Sequence, residues 1–591
     1  MPLSCQREAD LYGRAAVVAT VSFSALMKDS LPRFGLARRL GAVLDFAALS
    51  HARAVLLLIV FALLCFLQGI RTLPPTNRDE SRFAQATKQM FETRDFIDIR
   101  FQDEPRYRKP IGIYWLQAAS VGAAKQLGFE NAEKNIFFYR IPSLLAATGS
   151  VLLIYWTALA FLQRRYAFLA GIAFAASLML GVEARIATTD ATLLLTMLAA
   201  QGALARFYMR RGQLTRNEEW KLAAIFWTAI GVSVMIKGPI VPGIVLMTAL
   251  VASITERSAS WLRPLKFLPG LLWVAAITAP WLIAIYVKSN GGFFHASVGH
   301  DLLGKVTRGA EGHGAPPGYY FALYWVLLFP AAQLTWLAAP YAWKNRADPA
   351  VRYLLAWLVP TWLIFEIVVT KLPHYVMPLL PAAVILIALA LERGVQADRH
   401  VLRGGWFWPI VTTVIMVGLV FAVYSFNGRF GRTFLIFGIL SIMLSFAAWR
   451  TLAGKGTEVA LAIAALASAA LQISAYSTLP RISSLYVSNR LVDSLQTVPC
   501  KNPLIATTMH EASLIFLAGT NIELLNAAQS ADFLALGGCR VAFVDRRVEQ
   551  AFARRASEIG LNYNRVKEVT GFNYAKGHRG RWLVLTPADP H

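Results

Sequence analysis

With 591 residues, 56% of them hydrophobic, 12% aromatic and only 16% charged, the composition excludes an ordinary soluble protein and reads as a polytopic α-helical membrane protein. The formal charge of +24 would point to nucleic acid in a soluble chain. Here much of it lies in loops between apolar segments, as the positive-inside rule requires, so no nucleic-acid partner is expected.

Residues 1–53 carry Arg7, Arg14, Lys28, Arg33, Arg38 and Arg39 but no clear spanning run. The apolar piece Ala15 to Met27 is short and lacks a convincing cleavage site, so a cytoplasmic N-terminal extension is expected in place of a signal peptide. Ala54 to Ile70 reads as the first span. The stretch that follows, Arg71 to Ile111, is dense in charge within a chain that is otherwise mostly lipid-soluble. Pro74 and Pro75 end the span, Thr76 or Asn77 can cap, and Ser81 to Phe91 reads as a helix. Asp79 and Glu80 in its first turn have two readings. They complement the helix dipole, or one of them acts as a general base where a membrane-embedded donor meets its acceptor. Arg82, Arg106, Arg108 and Lys109 supply cations to the same stretch.

Ile111 to Lys125 is short and marginal as a span. If it crossed, Arg164 and Arg165 would fall outside, so it reads as an interfacial helix and residues 71–142 become one long outer loop. Twelve further spans are expected near residues 143–162, 166–183, 191–208, 222–236, 239–254, 268–287, 319–341, 353–370, 375–391, 406–425, 433–449 and 459–476. Basic runs such as Arg206 through Lys221 and Arg393 through Arg403 then lie on the cytoplasmic side, and thirteen crossings put the C-terminus outside. Residues 54–479 thus form the transmembrane domain.

Residues 480–591 have the composition of a small soluble α/β domain on the periplasmic side. Leu504 to Thr508, Ile522 to Asn526, Val541 to Asp545 and Trp582 to Thr586 read as strands, alternating with helices at Glu511 to Leu517 and Val548 to Ile559. The domain lacks a Gly-rich phosphate fingerprint. Cys500 and Cys539 both fall in it, either as a disulfide or as two buried thiols, while Cys5 and Cys65 fall on the other side of the first crossing or within it.

Further candidates line the outer ends of the spans. Asp190 ends the run Glu183 to Asp190, and an intramembrane acid is a functional candidate by default. The loop Lys288 to Pro317 holds His295, His300, Asp301, Lys305, Arg308, Glu311 and His313 without a compact metal-site spacing. It reads as a flexible cover with Lys305 or Arg308 meeting phosphate. Lys371 and Tyr375 flank Leu372-Pro373-His374, where a snorkelling Lys with an interfacial Tyr is the simplest reading. Arg140 to Ser143 and Lys237 to Pro239 read as structural anchors of loop ends.

The sets Asp79-Glu80-Ser81-Arg82-Phe83, Arg106-Tyr107-Arg108-Lys109-Pro110 with Tyr114-Trp115, and Lys371-Leu372-Pro373-His374-Tyr375 resemble bacterial aminoarabinose lipid A transferases and their relatives. These share a membrane core with the protein O-mannosyltransferases, the GT-C architecture. The resemblance implies an inner-membrane, inverting glycosyltransferase with its site on the periplasmic side. The donor would be a polyprenyl phosphate monosaccharide and the acceptor lipid A, lipopolysaccharide or another envelope molecule. It implies Asp79 as the group that positions or deprotonates the acceptor, with Glu80 and Asp190 orienting neighbours. Lys109 and Tyr375, then Lys305 and Arg308, would meet the donor phosphate, with Arg82, Arg108, Lys371 and His300 in support. No cofactor is implied, and a divalent metal stays open. The sequence departs from the aminoarabinose group at Arg108, where that group carries an acid, and at Lys305, where an Arg follows the loop His; the sugar is therefore left open. A transporter or flippase of lipid-linked or envelope substrates is the alternative. Neither duplicated halves nor paired interrupted helices are evident in the sequence to favour it. A catalytically silent scaffold is a third reading.

Overall fold

A helix needs roughly 20 apolar residues to cross a bilayer, so length and composition decide which elements of the computed structural model can do so. The structure describes residues 35–76, 78–297, 299, 314–395, 404–454, 456–574 and 576–589. Among these, nine helices qualify: Ile136–Ala158, Asp190–Met209, Arg216–Lys237, Phe267–Lys288, Pro349–Ile367, Pro373–Glu392, Phe407–Ser425, Arg432–Ala453 and Thr457–Arg481. The chain is a multi-pass membrane protein.

Four expected spans take another form. The helix at the first expected span, His51–Phe66, and the helix Ile240–Glu256 are apolar but shorter. The expected span 166–183 is broken into Arg164–Ala175 and Leu178–Glu183. The expected span 319–341 is Tyr319–Leu327 followed by Ala331–Lys344, bent by 114°. Pro330 lies at that break; a proline cannot donate to the helix ladder, and apolarity alone could not register the turn. A further helix, Gly35–Ala48, lies in the N-terminal extension, where no element was expected.

The expected outer loop folds into the helix Asp79–Thr93, a short hairpin of β1 (Arg100–Phe101) and β2 (Glu104–Pro105), and the helix Gly112–Gln126. The last occupies the segment expected as an interfacial helix, and it is not among the candidate spans. Gly112 permits its close approach to the membrane helices, because a Cβ there would meet the Met235 carbonyl oxygen at 2.6 Å.

The C-terminal domain holds a five-stranded sheet. Its strands are β3 (Leu504–Thr507), β4 (Glu523–Leu524), β5 (Arg540–Asp545), β6 (Tyr563–Asn573) and β7 (His578–Pro587), in the order β4-β3-β5-β7-β6. β3 runs parallel to β4 and β5, while β7 runs antiparallel to β5 and β6. Strand β6 was not expected. Only two of its eleven residues are buried, so this edge strand lacks the apolar signal of its neighbours. The domain docks on the outer loop through Gln102, whose side-chain amide donates to the carbonyls of Thr520 and Ile522 at 3.0 and 2.7 Å, and through Lys88, which donates to Phe516.

Cys500 and Cys539 form a disulfide with their Cα atoms 5.7 Å apart, closing a segment with a sequence separation of 39. A loop of that size is worth about 2–4 kcal/mol through restriction of the unfolded chain. The double variant Cys500→Ser/Cys539→Ser is expected to lower the melting temperature of the C-terminal domain, followed in the full-length protein by limited proteolysis against temperature. Unchanged cleavage would show that the bond does not stabilise the domain.

Candidate active site

Glu80 is the second residue of the helix Asp79–Thr93, and its carboxylate is 1% exposed. It accepts from Arg140 Nε at 2.7 Å and Nη2 at 2.9 Å, a two-pronged pair between groups that are both buried. The rest of the guanidinium donates to the carbonyls of Ile70, Leu73 and Pro74. The rest of the carboxylate accepts from the amide and hydroxyl of Thr76 and from the amide of Ala187. The helix therefore starts differently from expectation. Arg78 occupies the cap position with φ of 70° and no side-chain cap bond, and Thr76 is tied to Glu80 instead. Burial pushes the Glu80 carboxyl up, but the Arg140 charge and its hydrogen bonds, with those from Thr76 and Ala187, bring it below the usual 4.5.

Three residues beyond Ala187, Asp190 begins the helix Asp190–Met209. Lys237 ends the helix Arg216–Lys237, which Gly238 terminates at φ of 65°. An acid at a helix N-terminus and a Lys at a C-terminus each complement the local dipole, and here the two meet with Lys237 Nζ 2.6 Å from Asp190 Oδ1. The same ammonium lies 5.4 Å from the centre of the Tyr375 ring. His374 sits between two acids, with Nε2 3.9 Å from Asp190 and Nδ1 4.0 Å from Glu183. Glu183 also accepts from the Thr188 hydroxyl at 2.9 Å.

Asp79 and Lys109 lie within electrostatic reach of His374, so the outer loop and the span ends face one another. Asp79 is 59% exposed, with Arg82 3.7 Å away. Burial pushes the Tyr114 phenol up, with the Arg106 charge opposing this and the Asp79 charge adding to it. Lys109 Nζ donates to the Arg108 carbonyl at 3.1 Å. Lys371 is buried with its ammonium donating to the carbonyls of Ala315 and Val368, so it fastens a helix end and does not reach into the cluster. His300, Lys305 and Arg308 lie outside the described residues.

Asp79, Lys109, Asp190 and Tyr375 are thus brought together, whereas Glu80 is consumed by Arg140. The sequence reading missed three participants: Glu183, Lys237 and His374. Lys237 was read as a loop anchor; the signal for it was an ammonium-bearing residue at the end of an apolar span, beside Gly238. Among the described residues no three His, Cys, Asp or Glu converge as a metal site, and the Lys237 ammonium already lies on Asp190.

A charged cluster thus lies at the ends of several membrane helices, beside a folded loop. The profile of the dolichyl-phosphate-mannose-protein mannosyltransferase family matches residues 56–294. An undecaprenyl phosphate-alpha-4-amino-4-deoxy-L-arabinose arabinosyl transferase of Erwinia tasmaniensis is 28% identical over 58% of this chain and 60% of its own. The protein of that name from Aeromonas salmonicida is 27% identical over 66% of this chain and 70% of its own. The chain therefore matches about three-fifths of the length of the first of these relatives. The crystal structure of ArnT from Cupriavidus metallidurans bound to undecaprenyl phosphate superposes with a TM-score of 0.71 at 18% identity, covering 90% of this chain and 97% of that one. Its apo form gives 0.70. The chain is thus similar in sequence to these transferases and shares the fold of the ArnT structures.

Removing one partner of a buried ion pair leaves the other charge uncompensated, at a cost of about 3–5 kcal/mol. Glu80→Gln is therefore expected to destabilise the protein strongly, and Glu80→Leu/Arg140→Met less than either single change, measured by thermal unfolding in detergent. Because the Glu80 carboxyl is held below its ordinary value, its contribution is full above about pH 4.5 and is lost as pH falls through the lowered value. Glu80→Gln should flatten that part of the stability profile. An unaltered acid limb would assign the loss to another carboxylate.

Proposed function

We propose that the protein is an inverting glycosyltransferase of the bacterial inner membrane. It moves a hexose or pentose from a polyprenyl phosphate donor to an envelope acceptor, lipid A or lipopolysaccharide. The observation that carries this reading is the Lys237–Asp190 pair under the Tyr375 ring, 2.6 Å between charges, facing an outer loop that bears Asp79 and Lys109. A phosphate at the lipid surface is the leaving group, and catalysis then requires cations and hydroxyl donors where its charge grows. Lys109, Lys237 and the Tyr375 hydroxyl are of the right kind. Asp190 already holds an ammonium and serves to position it. Asp79 is the more accessible acid and takes the acceptor's proton, or positions an acceptor that is already ionised. The acceptor oxygen attacks the anomeric carbon from the face opposite the phosphate, so the C–O bond to phosphate breaks as the new glycosidic bond forms. Lys305 and Arg308 are proposed as further phosphate contacts, with His300, Arg82 and Arg108 in support.

Thirteen crossings follow if the nine long helices are joined by the two shorter apolar ones, the bent pair and the broken segment 164–183. The C-terminal domain and the site then share the periplasmic side. Tags at Arg164 and Arg216 are expected to be cytoplasmic, and tags at Lys134 and the C-terminus outside, by accessibility labelling of intact cells. A cytoplasmic C-terminus would overturn the count.

Purified protein incubated with labelled lipid-linked sugars and envelope lipids should release polyprenyl phosphate. Asp79→Asn is expected to abolish release without moving the melting temperature. Lys109→Ala removes a charge-assisted contact worth about 1.5–3 kcal/mol and should slow transfer about tenfold or more. Tyr375→Phe should cost less, and the two losses should be non-additive, because both groups stabilise one growing charge. Strict additivity would place the phosphate elsewhere, and no release from any donor would remove the enzymatic reading.

A further inference from the structure

The C-terminal sheet and the end of the helix Phe407–Ser425 enclose a second cleft of about 620 Å³, well away in sequence from every residue of the candidate site. One wall is the turn Ser425–Asn427 that leaves the membrane helix. The other carries Arg546, Arg547, Arg579 and Arg581 from the β5 end and from β7. Arg579 reaches across, donating to the Ser425 carbonyl at 2.9 Å, so the cleft is closed by a contact between the two walls.

The charge here is unbalanced. Glu568 is shared by Arg546, Arg565 and Arg581; Glu549 also pairs with Arg546; Asp545 pairs with Arg547. Five guanidinium groups, Arg579 included, meet three carboxylates, and Arg429 and Arg432 flank the same turn, both exposed. Guanidinium groups suit phosphate oxygens through paired N–H donors. Beneath the cleft, the membrane helix presents Val417, Phe421 and Tyr424 at 61%, 68% and 82% exposure. An exposed apolar stripe on a spanning helix is a face for acyl chains, and the last residue of this one, Tyr424, directly precedes Ser425 of the cleft wall.

We propose that this cleft holds the phosphate headgroup of an anionic glycerophospholipid, its acyl chains lying along Val417, Phe421 and Tyr424. The lipid thereby anchors the C-terminal domain to the membrane surface. The site is separate from the transfer reaction and does not depend on that reading, since it needs only a membrane beside the helix Phe407–Ser425.

The test uses the full-length protein in phosphatidylcholine nanodiscs doped with photoactivatable phosphatidylglycerol, with cross-links mapped by peptide mass spectrometry. Cross-linking within residues 417–432 and 570–581 is expected to fall at least fivefold in Arg547→Ala/Arg581→Ala. It should persist in Arg547→Lys/Arg581→Lys, which keeps the charge and controls for folding. A photoactivatable phosphatidylcholine probe should label these peptides weakly in every variant. Equal labelling by the two lipids, or no loss in the Ala variant, would overturn the proposal. Loss of phosphatidylglycerol labelling on adding millimolar inorganic phosphate would reassign the cleft to free phosphate and overturn the lipid assignment.

Discussion

Burying a carboxylate and a guanidinium together costs several kcal/mol of lost hydration per ion, and only good geometry with further hydrogen bonds offsets it. Glu80 and Arg140 meet that condition through bonds that all end on the parts the site is made from. The partners are the carbonyls that leave the first membrane helix, the Thr76 turn, the amide of Ala187 and the helix Ile136–Ala158 that carries Arg140. None of these segments can shift without stranding a charge. The pair therefore sets the register between the outer loop and the membrane helices, and with it the relative placement of Asp79 and Asp190, each close in sequence to one of its contacts.

The segment between Glu183 and Asp190 is held from every side. Arg185 donates to the Gln68, Gly181 and Cys65 carbonyls and lies over the Tyr476 ring, while Gln117 donates to the Ala187 carbonyl. Gly181 lets the Gln472 side chain pack close, where a Cβ would force that side chain to move. A non-helical stretch inside membrane helices must satisfy its backbone within the protein, and these side chains supply the partners. Its rigidity is what lets Asp190 meet Lys237 at a fixed separation.

Much of this was legible in the sequence, and the parts that were not share a cause. The apolar runs, the helix Gly112–Gln126 and strands β3, β5 and β7 each carry their own local pattern, and the structure has them where the pattern lies. Asp190 stood out as an acid at a span end, whereas Asp79, Lys109 and Tyr375 were singled out by the family resemblance of their motifs. Lys237 stood at a span end too, but its importance lies in a partner 47 residues away that no spacing rule connects to it. Arg140 was read as a structural anchor, but its pairing with Glu80 was not, because the two lie 60 residues apart and no local pattern links them. Strand β6 is an edge strand with a mostly exposed surface, and the break near Pro330 lies inside an unbroken apolar run, where hydropathy carries no information about direction.

The division of labour between the acids follows from their surroundings. Asp190 has one oxygen on Lys237 and the other near the Thr189 hydroxyl at 3.2 Å, with His374 beyond. A carboxylate so engaged is a poor proton acceptor, and it holds the Lys237 ammonium in place. Glu80 is spent in the same way on Arg140. That leaves Asp79 as the acid of the three with open surface, standing at the first turn of a helix whose position the Glu80 pair fixes. Adjacent acids thus take opposite roles, one as the anchor of the loop and the other as the group that loop presents, because a single residue step along the helix turns one carboxylate into the protein and the other toward solvent.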